Sequence, residues 1–157
     1  MEAARALFKY GANIHITGKD SEKALFMAVR LNLDVSILRE LIEMDIDPLA
    51  RNAADAVAMH LAFFQNVTSI TINNIKYLME EGIDIDSVDN DGRSLCHYYA
   101  EGLNEIEYVG NEYITNFLLH NVSLDINQEN ANKESSLLVS VKGQNLDAGY
   151  FLIACGV

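Results

Sequence analysis

Two groups of residues in this 157-residue chain could do chemistry. The first is the acidic run Asp84, Asp86, Asp89, Asp91, Gly92. Carboxylates at alternate positions before a glycine are how a calcium-binding loop collects oxygen ligands. Such a loop opens on an acid and closes on a bidentate Glu six residues after the glycine. Here those places hold Ser87 and Tyr98. Without the first and last ligands, the run reads as a solvated turn. The second group is Cys96-His97, a thiol beside a base. Adjacent residues on a helix point about 100° apart, so the two do not face each other, and no third group orients the base. His15 and His120 have no zinc-like spacing to another His or Cys. His-Glu-x-x-His, a phosphate-cradling glycine loop and Gly-x-Ser-x-Gly are all absent. The reading is of a chain with no catalytic site, no cofactor and no metal.

Composition narrows the field further. Half the residues are hydrophobic and about a fifth are charged, the balance of a folded soluble domain. No apolar run approaches the roughly 20 residues of a membrane helix, so no membrane insertion is expected. Met1-Glu2-Ala3-Ala4-Arg5 has no basic region ahead of an apolar stretch and does not read as a secretory signal. A net charge of −12 repels nucleic acid and anionic lipid. Two distant cysteines, Cys96 and Cys155, make no disulfide framework and point to a reducing compartment, the cytoplasm or another.

The elements that must position these residues recur along the chain. An apolar pair, two residues, and then a turn appear at Leu7-Phe8-Lys9-Tyr10-Gly11, Leu41-Ile42-Glu43-Met44-Asp45, Leu78-Met79-Glu80-Glu81-Gly82 and Leu152-Ile153-Ala154-Cys155-Gly156. A stretched copy runs from Leu118 to Asp125. The turns at 11, 45, 82, 123 and 156 are 34, 37, 41 and 33 residues apart. A period near 33 signals a helical solenoid. Leu38, Leu41 and Ile42 share a helical face, as do Ile75, Leu78 and Met79, and Ile114, Phe117 and Leu118. A second short helix is expected over Ala24–Leu31, Ala56–Phe64, Leu95–Ala100 and Ser136–Val141. The units are 1–15 (second helix only), 16–49, 50–86, 87–127 and 128–157.

These residues resemble the ankyrin repeat. Asp89-Asn90-Asp91-Gly92-Arg93-Ser94-Leu95-Cys96-His97 matches its polar turn and the Thr-Pro-Leu-His opening of its first helix. Met59-His60-Leu61-Ala62 matches Leu-His-x-Ala. Ala24-Leu25-Phe26-Met27-Ala28 keeps the apolar and alanine places with Phe26 for His. Ser135-Ser136-Leu137-Leu138-Val139-Ser140 is the weakest copy. No copy has the family's Pro at the first helical position, and Tyr99 stands where the family has a small Ala. The resemblance implies an all-α solenoid of paired antiparallel helices. It implies Cys96 as a core residue, and His60 and His97 as rings bonded to turn backbone. Tyr98, Tyr99, Tyr108 and Tyr113 could form an aromatic recognition patch or pack a bulky core.

The resemblance further implies a groove that holds another protein. Its lining would be Lys19, Asp20, Glu22 and Arg30, then Ala53, Ala54, Ala56, Phe64 and Gln65. Asn90, Asp91, Arg93 and Glu101 would follow, then Asn132, Glu134 and Lys142. Phe64 would be an apolar anchor, flanked by a long loop, Gln65–Asn74. The expected function is protein binding, as a fragment of a larger protein such as an effector acting in a host cytosol. The alternative is a substrate-positioning or regulatory domain of an enzyme whose catalytic part lies outside this chain.

Overall fold

The computed structural model describes residues 22–64, 67–102 and 124–156, together with 10, 13, 15–18, 116 and 117. Seven helices lie among them: α1 (Ala24–Arg30), α2 (Val35–Glu43), α3 (Ala58–Ala62), α4 (Ser69–Glu80), α5 (Leu95–Glu101), α6 (Ser136–Lys142) and α7 (Leu146–Ala154). The described chain is all-helical apart from two isolated β-bridges, Arg51 with Val57 and Glu129 with Ser135. None of these helices is long and apolar enough to cross a membrane.

α1, α3, α5 and α6 are short, and each of them packs on the next. α1 touches α3, α3 touches α5, and α5 touches α6, while α1–α2, α3–α4 and α6–α7 pack as sequential pairs. α2 also meets α4. The helical stripes read from the sequence face inward. Leu38, Leu41, Ile75 and Leu78 are buried, with Ile42 and Met79 packed against the core. Phe117 is buried too; Ile114, Leu118, His120 and the helix expected before Gly11 lie outside the described residues.

The helix ends repeat one chemistry. α2, α4 and α7 are each followed by a left-handed residue at Asp45, Gly82 and Gly156, three of the turn positions read from the sequence. Ile46 N–H then reaches back to Leu41 O, and Ile83 N–H to Leu78 O, satisfying carbonyls that the helix end leaves free. Two residues beyond the first two of these, Asp47 and Asp84 accept a backbone N–H at 2.9–3.0 Å, from Leu49 and Asp86, and Asp125 accepts that of Asn127 in the same way. Asn13 does the same for His15. Asn side chains then tie the inter-helix bends together. Asn74 Nδ2 donates to Leu33 O at 2.8 Å, and Asn145 Nδ2 to Ala100 O at 3.1 Å.

Two expected boundaries move. The helix expected at Ala56 begins at Ala58, because Arg51 and Val57 first close a bridge. The long loop expected over Gln65–Asn74 is mostly helix. Thr68 accepts the N–H of Thr71 and starts α4 at Ser69, as an N-cap does.

Candidate functional site

Ahead of α3, α5 and α6 the chain makes the same hairpin three times. Asn52, Asp89 and Asn130 each stand five residues before the helix cap. In each, the side-chain Oδ1 accepts two backbone N–H groups, two and four residues on, at 2.9–3.1 Å. The backbone N–H of each donates to the carbonyl four residues on. The residue three places on is left-handed each time: Asp55, Gly92 and Lys133. Short Asn and Asp side chains suit such turns because they bond their own backbone.

Neighbouring hairpins are joined through main chain. Asn90 N–H donates to Ala54 O at 2.9 Å, and Ala131 N–H to Asp91 O at 2.8 Å. Histidine adds a second tie. Val57 N–H lies 3.2 Å from His60 Nδ1, and His60 Nε2 lies 2.9 Å from Ser87 O. His97 repeats this with Ser94 N–H and the carbonyl of Glu134. Both rings are buried. Burial holds His60 below its ordinary pKa, against the opposing pull of Ser87 O and Asp89.

The acidic turn is spent on structure. Asp89 Oδ2 accepts Arg93 Nε at 2.8 Å and the Tyr98 hydroxyl at 2.9 Å, while Oδ1 serves the hairpin. Burial opposes its charge, but the Arg93 backbone N–H, Tyr98 and the Arg93 guanidinium outweigh it and hold the carboxyl low. Among the described residues no group of three or more His, Cys, Asp or Glu is placed to hold a metal. Cys96 is buried, which pushes its thiol up to about 12, far from the thiolate a nucleophile needs. Tyr98 and Tyr99 are buried as well. Tyr99 stands edge-on to Phe63 and Phe151, with centroids 6.3 and 5.2 Å away, so both rings pack the core and neither presents a recognition surface. Tyr108 and Tyr113 lie outside the described residues.

The expected groove residues sort into a pattern the sequence reading did not contain. The residue just before each cap pairs with the residue eight places on, at the end of the short helix. Glu22 pairs with Arg30, Arg93 with Glu101 at 3.1 Å, and Glu134 with Lys142. In the α3 unit the same two places hold Ala56, fully buried, and Phe64, 37 % exposed. The run of short-helix ends is therefore Arg30, Phe64, Glu101, Lys142: one apolar window in a row of ion pairs.

Individual positions shift accordingly. Glu22 and Ala56 are buried and line no open surface. Arg93 is held by Asp89 and Glu101 and lies over the Tyr98 ring, 5.0 Å from its centroid. Asn90, Asp91 and Asn132 are exposed at the hairpin tips, as is Ala53, with Ala54 partly covered. The Lys142 ammonium holds the Glu134 carboxyl below its ordinary pKa, with Asn130 adding a second hydrogen bond. Lys19, Asp20 and Gln65 lie outside the described residues. Asn52, Asp89 and Asn130 were not singled out as a set, although an Asn or Asp five residues before each cap was there to be found.

No protein-family model matches the chain, and no curated protein matches it.

Proposed function

We propose that this chain is an ankyrin-like repeat solenoid that binds another protein along the edge formed by its hairpin tips and short-helix ends. The returning hairpin, the main-chain ties between hairpins and the successive packing of α1, α3, α5 and α6 support the repeat reading. They join neighbours only, as a solenoid requires. The observation that carries the binding reading is Phe64. It occupies the one short-helix end where the Glu22–Arg30 type of pair is replaced by an apolar ring in the open. An aromatic ring bordered by charged groups is the composition of a binding hot spot. The partner would present a large apolar side chain to Phe64, with polar groups on either side to meet Arg30 and Glu101.

Affinity capture with the wild-type chain and with Phe64→Ala tests this. The substituted position is partly exposed, so the circular dichroism should not change. A protein held by the wild type should be lost or much reduced with Phe64→Ala. Equal retention by both would remove the edge as the binding surface. Charge reversal at Arg93 is a poor probe, since it breaks the Asp89 and Tyr98 contacts that fold the hairpin.

A further inference from the structure

The main chain that carries the Phe64 ring leans on a glycine one unit further along. Gly102 follows α5 and is buried. A Cβ on it would stand 3.1 Å from Phe63 O, 3.1 Å from Phe64 O and 3.2 Å from the Phe64 carbonyl carbon. All three are main-chain atoms, which cannot swing aside as the end of a side chain can. The backbone of Gly102, with φ −60° and ψ 157°, suits any residue. Space, not conformation, calls for glycine here.

The contact is peculiar to this joint. The residues that follow α1, α3 and α6 are Leu31, Phe63 and Gly143, with ψ of 5°, −6° and −3°. After α5 the chain instead turns extended, and this lays Gly102 against Phe63 and Phe64. Gly143 shows the difference. It stands eight residues after the cap of its helix, as Gly102 does. A Cβ there would meet only carbonyls of its own unit, Val139 O at 3.3 Å and Ser140 O at 3.9 Å.

The following unit holds that extended path in place. Asn145, at the bend between α6 and α7, donates from Nδ2 to Ala100 O at 3.1 Å and to Gly102 O at 3.3 Å. Its Oδ1 accepts the Ala148 N–H and caps α7. One side chain thus fixes the end of α5, and the end of α5 braces the main chain at Phe64. A ring whose pose is set before binding loses less freedom when a partner arrives.

We propose that Gly102 and Asn145 are positioning residues for Phe64, an inference that rests on reading Phe64 as the binding ring. The chain has no tryptophan, so Phe64→Trp puts a single indole at the site, readable without any partner. In that background Gly102→Ala should shift the emission maximum and change acrylamide quenching, with the helical spectrum unchanged. Gly143→Ala should do neither. Asn145→Asp separates the tie from the cap: a carboxylate still caps α7, but it faces the two carbonyls with an acceptor in place of a donor. It should move the indole emission in the same direction as Gly102→Ala, and it keeps the test open if Gly102→Ala does not fold. Emission left unmoved by Asn145→Asp, or moved as far by Gly143→Ala as by Gly102→Ala, overturns the proposal. Capture with Phe64→Ala is a separate measurement: equal retention there removes the binding reading and leaves any emission shift standing, while absent shifts leave the capture result standing.

Discussion

His97 Nε2 lies 2.9 Å from the carbonyl oxygen of Glu134, thirty-seven residues ahead in the chain. Because Nδ1 of the same ring accepts the Ser94 N–H at 3.2 Å, the proton sits on Nε2 and is donated to the carbonyl. One buried ring thus fixes the start of α5 and the hairpin before α6.

His97→Ala removes these two contacts and a third, between Nδ1 and the Ser94 hydroxyl at 2.9 Å, at a buried position, and leaves a carbonyl and an N–H without their partner. Such truncations cost about 1–3 kcal/mol for each buried group left unsatisfied. The expected loss is about 2–4 kcal/mol in urea unfolding. His97→Gln, which can still donate to the carbonyl, should lose less. Equal losses for the two would show that the ring acts by packing and not by its hydrogen bonds.

Asp89 separates two roles that Asn52 and Asn130 do not. All three support the hairpin through Oδ1, but only Asp89 also receives Arg93 Nε and the Tyr98 hydroxyl on Oδ2. Asp89→Asn keeps the hairpin and should cost about 1–2 kcal/mol, the worth of the charged contacts. Asp89→Ala loses the hairpin bonds as well and should cost roughly twice as much. Chemical denaturation of both variants gives the ranking, and the reverse order would contradict this division of labour.

Gly92 tests the joint between hairpins. Asp55 and Lys133 occupy the equivalent left-handed places with side chains at φ of 60° and 62°. Conformation alone therefore does not demand glycine at 92. What differs is space: a Cβ on Gly92 would stand 3.3 Å from Ala131 N, the atom that donates to Asp91 O. Gly92→Ala should cost about 1–2 kcal/mol and speed hydrogen exchange at the Ala131 amide. Lys133→Ala should do neither.

Acid should weaken the fold in two stages. Burial holds His60 below its ordinary 6.5. Below that pH the unfolded chain takes a proton that the folded chain refuses, so stability present above it falls as pH drops. Asp89 is held below its ordinary 3.8 by Arg93 and Tyr98, against burial. Its contribution is present above 3.8 and is lost as pH falls further. Urea midpoints between pH 7.5 and pH 5 should decline in the wild type. The decline should be smaller in His60→Gln. Parallel declines would assign this acid sensitivity to other groups.

Much of the fold was legible because helical periodicity and turn residues are local signals. The i, i+3, i+4 stripes on α2 and α4 face the core as read, and Asp45, Gly82 and Gly156 close helices as their spacing implied. The start of α3 was not legible, since it depends on the Arg51–Val57 bridge, a tertiary constraint on an apolar stretch that could begin a helix at either residue. The candidate site was legible as a set of positions but not as an arrangement. Glu22, Arg93 and Glu134 read as free groove charges because a partner eight residues away lies beyond the i, i+4 spacing that a helix makes obvious. Phe64 was picked out as an exposed ring. Its place as the gap in a row of ion pairs emerges only when the four units are superposed.

The hairpins are joined by peptide groups, Asn90 N–H to Ala54 O and Ala131 N–H to Asp91 O, while the side chains of Asn90, Asp91 and Asn132 point outward. Substituting those tips leaves the joint untouched, because every residue but proline brings the same N–H and C=O. Inheritance can therefore rewrite the outer lettering of this protein, one character at a time, without disturbing the binding of the book.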